Sequence, residues 1–64
     1  MSNLNQPLTL DGLEYVYDAL ANAIDRAGPD KTELFLVKLA LLNANALGCE
    51  HTFQKHLDAA LLDL

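Results

Sequence analysis

The stretch of sequence that decides the fold runs from Lys31 to Leu47 and reads KTELFLVKLALLNANAL. It predicts a helix with almost no polar face, because Lys31, Lys38 and Asn45 recur seven residues apart on one narrow stripe. A helix that is apolar all round has to be buried all round. A chain of 64 residues can hardly surround one of its own helices, so we expect a second chain to help cover it.

The segment before this helix predicts an amphipathic helix that begins after Asp11. Asp11 and Glu14 have the spacing of a capping box, and Leu10 and Tyr15 have the spacing of a hydrophobic staple. Gly28 and the proline after it are typical of a helix end. The predicted core face of this helix consists of residues that fall within an arc of about 100°: Leu13, Val16, Tyr17, Leu20, Ile24 and Ala27.

A third helix is predicted from about Glu50 to Leu62. Its apolar face contains Phe53, Leu57, Ala60, Leu61 and Leu64. The short turn around Asp30, which is followed by Glu33 three residues on, favours an antiparallel hairpin of the first two helices. Gly48 is expected to end the second helix. The very short link at residues 48–49 leaves two arrangements open for the third helix, which either folds back or continues at a steep angle.

These elements together predict an all-α chain of three helices, a helical hairpin plus a C-terminal helix, that assembles as a dimeric helical bundle. We expect residues 1–10 to be a flexible polar leader and residues 11–64 to be a single helical domain. The apolar residues that flank the Lys38 stripe should form the oligomer interface, and a buried amide in the same helix should fix its register. The interface residues are Leu34, Phe35, Leu41, Leu42 and Asn43.

Charge and hydropathy limit the classes of partner. Nine acidic residues against four scattered basic ones give a net charge of -5, which disfavours nucleic acid and anionic membrane surfaces. The longest nearly apolar stretch, residues 34–47, is too short and too polar to cross a bilayer. With one cysteine and no secretory signal, we expect a cytoplasmic protein.

Few residues are of the types that catalysis or metal binding requires. Cys49, His51 and His56 form the only cluster of potential metal ligands, but on one helix they do not converge on a single point, so no metal or other cofactor is expected. Cys49 is expected to be a small buried apolar residue, the alternative being a reactive thiol at a helix start. Tyr15 lies on the polar face of the first helix, where it either completes the staple or contacts a partner.

Two segments carry a resemblance to a known family, LEYVYDAL at residues 13–20 and LALLNANALG at residues 39–48. They resemble a family of short uncharacterised bacterial helical proteins, whose motifs are matched by Tyr17, Ala19, Leu20, Leu41, Leu42, Ala44, Asn45 and Gly48. The chain departs from that family at Cys49, where the family tends to have Asp. Some members lie beside flavin-dependent aromatic hydroxylases, which implies an accessory role.

Three functions stay open at this point. The first is a non-enzymatic interaction module that self-associates. The second is an accessory subunit of a larger, flavin-dependent enzyme, whose partner covers the central helix. The third is a small ligand-binding protein with a pocket between chains near Asn43, Cys49 and His56. We expect the first, because the residues suggest no catalytic site and the apolar excess suggests an interface.

Overall fold

A computed structural model describes residues 7–64 as three α-helices: α1 from Leu10 to Ala27, α2 from Thr32 to Leu47 and α3 from Glu50 to Leu61. Helices contain 79% of this part of the chain, which has no strand. The prediction of a three-helix, all-α chain is therefore confirmed. The helical hairpin and the dimer stay predictions, and so do the flexible leader and the single domain. Residues 1–6 of the leader lie outside the described residues.

The start of α1 differs from the prediction. Thr9, in an extended conformation, is the N-cap, and its hydroxyl accepts a hydrogen bond of 3.0 Å from the Gly12 N–H. Threonine and aspartate are both good capping residues, and the earlier one begins the helix. Asp11 therefore lies in the first turn. The predicted staple is wrong because Leu10 is itself helical and lies about 140° around the axis from Tyr15.

Glycines end the first two helices as predicted. Gly28 has a φ of 83° and donates its N–H to the Ile24 carbonyl, while Gly48 has a φ of 76° and donates to Ala44. Residues that carry a side chain rarely adopt these positive φ values, whereas glycine adopts them readily. The Lys31 N–H then bonds to the Gly28 carbonyl at 3.0 Å and closes a turn, so α2 begins one residue later than predicted.

The described residues divide into two units after Thr32. The first contains α1 and the turn after it, and the second contains α3 and nearly all of α2. In the second unit, Cys49 is the N-cap of α3 in an extended conformation, and the Leu62 N–H bonds to the Ala59 carbonyl at its end. The third helix thus ends one residue earlier than predicted.

No residue among 7–64 is buried. On the predicted core face of α1, Leu20, Ile24 and Ala27 are half-buried, but Leu13 and Tyr17 are exposed. The prediction that Tyr17 packs in a core is wrong for the single chain, since 73% of its surface is exposed. Phe53 of α3 is half-buried, and Leu57 and Leu61 of the same face are exposed. The helices form where the sequence predicts them, but the single chain does not bury their apolar faces.

Candidate interaction surface

Several large apolar side chains of α2 are exposed. Leu34, Leu41 and Leu42 are 59%, 64% and 68% exposed. Leu34 and Leu41 lie seven residues apart on one side of the Lys38 stripe, and Leu42 lies on the other side. The apolar residues of α2 are spread around its axis, whereas those of α1 and α3 concentrate on one face. We call Leu34, Leu41 and Leu42 the α2 leucine surface.

The remaining predicted interface residues lie elsewhere on the same helix. Phe35 lies close to Leu42 around the axis and is half-buried. Asn43 lies about 160° from Leu41, on the side opposite the Lys38 stripe. It is exposed and takes part in none of the side-chain hydrogen bonds found within residues 7–64. Asn43 is therefore not buried within the single chain, and its burial in an oligomer interface stays a prediction.

The charge on α2 differs from that on α1. Within α2, Glu33 and Lys38 balance each other, so the helix is neutral overall. Helix α1 contains four acidic residues against Arg26 alone. Two α2 helices can therefore approach each other without the repulsion that two α1 helices would experience. The neutral helix is also the most apolar one.

A second exposed surface lies on α1. Tyr15, the predicted partner contact, is 75% exposed. An open groove of about 320 Å³ is lined by Leu13, Glu14, Tyr17 and Asp18. The sequence predicts a core position for Tyr17 and therefore does not predict this groove. One sequence signal could have predicted the groove. Leu10 and Tyr17 are seven residues apart, which places both on the edge of the apolar face next to the carboxylates of Glu14 and Asp18.

The Cys49 thiol is exposed, so the expectation of a buried apolar residue is wrong. Its pKa lies below the ordinary value, chiefly because the side-chain hydroxyl and then the backbone N–H of Thr52 stabilise the thiolate. The His51 N–H adds to this, whereas slight desolvation and the Glu50 carboxylate act in the opposite direction. These donors belong to the first turn of α3, where N–H groups lack helical partners.

The structure does not bring the potential metal ligands together. His51 and His56 are both exposed on α3. Within residues 7–64, no three His, Cys, Asp or Glu side chains cluster closely enough to hold a metal ion. Also within these residues, no helix combines the length and the apolar character that a membrane span requires.

Comparison of the chain with protein-family models, with curated proteins and with solved structures finds no match. The resemblance to the short bacterial helical proteins, and the accessory role that it implies, therefore stay predictions.

Proposed function

We propose that this protein is a non-enzymatic helical interaction module that self-associates through α2, forming a twofold dimer in the cytoplasm. One observation carries the proposal. The α2 leucine surface is exposed, although it belongs to a neutral and strongly apolar helix. Large apolar side chains that are exposed together on one helix of a soluble protein usually mark an interaction site.

The exposure of the α2 leucine surface supports a missing cover. Leu34, Leu41 and Leu42 are each more than half exposed, and burying such side chains against another chain is favourable. A second copy is the simplest cover, because twofold dimers are the commonest assemblies.

The chain offers a matched pair of substitutions that tests the role of α2. Leu41 and Leu42 are adjacent leucines with exposures of 64% and 68%, and Leu61 and Leu62 are adjacent leucines with exposures of 65% and 71%. Glutamine has nearly the same helix propensity as leucine, so it changes polarity with little effect on the helix. The double variants Leu41→Gln/Leu42→Gln and Leu61→Gln/Leu62→Gln thus remove similar apolar surface from α2 and from the end of α3, where Leu61 is the last helical residue and Leu62 follows it.

We expect Leu41→Gln/Leu42→Gln to weaken dimerisation by at least about 100-fold, because each lost leucine occurs twice in a twofold dimer and burying one contributes about 1.5–3 kcal/mol. The Leu61→Gln/Leu62→Gln control should change the dimer dissociation constant by less than about fivefold. Sedimentation equilibrium measures both constants. Equal effects of the two double variants would contradict a specific role for α2. A wild-type chain that becomes folded only with a different protein would instead favour the accessory-subunit function.

A further inference from the structure

The groove on α1 combines two kinds of surface within one helix. At about 100° per residue, the order around the axis is Leu13, Tyr17, Glu14 and Asp18. A leucine side chain and an aromatic ring that is 73% exposed therefore border two carboxylates. The groove lies within the first unit of the chain and has no residue in common with the α2 leucine surface.

The shape of the groove selects what it can hold. Pockets for small molecules enclose most of the ligand surface. Four residues along one side of a single helix cannot do this, so the occupant is a side chain that belongs to a larger surface. A guanidinium group fits the chemistry, because it stacks on an aromatic face while its N–H groups bond to carboxylates.

The rest of α1 indicates which kind of structural element of the partner carries this arginine side chain. Apolar residues recur at alternating spacings of three and four, the pattern of a helix–helix seam, at Leu10, Leu13, Tyr17, Leu20 and Ile24. The first three are exposed and the last two are half-buried, so the first half of the seam is free to bind. Three aspartates recur at the seven-residue spacing of the same pattern, on the side of the helix next to Tyr17: Asp11, Asp18 and Asp25. We infer that this face of α1 binds an amphipathic helix of a partner protein, with an arginine of that helix in the Tyr17 groove.

Charge argues for a basic partner rather than a second copy. The chain has nine acidic and four basic residues, and Arg26 is the only basic residue of α1. Two α1 helices packed along this seam would bring their acidic edges into the same contact, where like charges are unfavourable. A basic helix is attracted to the acidic α1 at long range and forms ion pairs with its carboxylates on contact.

The test uses a fluorescein-labelled synthetic peptide of about three heptads, with leucine at the two seam positions of each heptad, a single arginine beside them in the central heptad, and alanine and glutamine elsewhere. Fluorescence anisotropy at near-physiological salt measures its dissociation constant for the full chain. Two double variants remove the same charge from the same helix: Glu14→Gln/Asp18→Asn within the groove, and Asp11→Asn/Asp25→Asn outside it. Circular dichroism checks that both keep their helix content.

We expect Glu14→Gln/Asp18→Asn to weaken binding of the peptide at least about tenfold, and Asp11→Asn/Asp25→Asn to weaken it less than about threefold. Tyr17→Leu should reduce the preference for this peptide over its lysine analogue, because leucine keeps the apolar contact but offers no ring. Equal losses in the two double variants would overturn the inference. Equal binding of a scrambled peptide of the same composition would also overturn it. Neither result depends on dimerisation through α2.

Discussion

At the scale of single residues, Thr9 fixes where the first helix begins. Its hydroxyl satisfies the Gly12 N–H, one of the donors that the first turn leaves without a helical partner. Asp11 then lies inside the first turn, where its carboxylate faces the positive end of the helix dipole. The two residues therefore have separate roles at the same helix start.

Replacing Thr9 with alanine should lower the free energy of unfolding by about 1 kcal/mol, because the Gly12 N–H loses its acceptor. Urea unfolding at one fixed protein concentration measures the change, since the stability of an associating chain depends on concentration. Thr9→Ser keeps the hydroxyl and should restore most of the loss. A larger loss from Asp11→Ala than from Thr9→Ala would show that the cap lies at Asp11 after all.

Cys49 has a pH-dependent reactivity that follows from its neighbours. Thiolates react with iodoacetamide, and Thr52 lowers the pKa of the Cys49 thiol, so alkylation should reach half its maximal rate at a lower pH than for an ordinary cysteine. Thr52→Val removes the hydroxyl with little change of shape and should move this midpoint to higher pH. An unchanged midpoint, measured by mass spectrometry over a pH series, would mean that the Thr52 hydroxyl does not stabilise the thiolate.

At the scale of helices, α2 contains two asparagines in different settings. Asn45 continues the Lys31 and Lys38 stripe, whereas Asn43 lies about 160° away from it among apolar residues. An amide in a helical interface costs stability but limits the register and number of helices that can pair. Asn43 is therefore the residue of α2 that could restrict the assembly to one form.

Replacing Asn43 with leucine should produce more than one assembled species, because the polar constraint on register is lost. Asn45→Leu adds the same side chain on the stripe and should leave a single species. Sedimentation velocity resolves the species in both variants. A single, unchanged species in Asn43→Leu would contradict a register role.

Helix positions could be predicted from this sequence far better than burial could. Gly28 and Gly48 end their helices where the sequence indicates, because a positive φ at a glycine is a local property. Thr9 shows the limit of local patterns, since two nearby capping residues compete and spacing alone does not rank them. The sequence predicts a core position for Tyr17 and a buried position for Cys49, but both are exposed, because periodicity identifies an apolar face but not what covers it.

At the scale of the whole molecule, size limits what the chain can bury. A domain of about 60 residues buries only about 60% of the surface of its unfolded chain, and small proteins need an additional source of stability. One cysteine provides no internal disulfide. Association through the α2 leucine surface would supply this stability, and the acidic α1 would remain available to a partner of opposite charge.

The most direct test of self-association is the solution mass of the full chain, measured by light scattering after size exclusion over a range of concentrations. We expect a mass of two chains, falling towards one chain only at high dilution, where circular dichroism should show loss of helix. A chain that remains a well-folded monomer at all concentrations would contradict the proposal that a second copy covers α2.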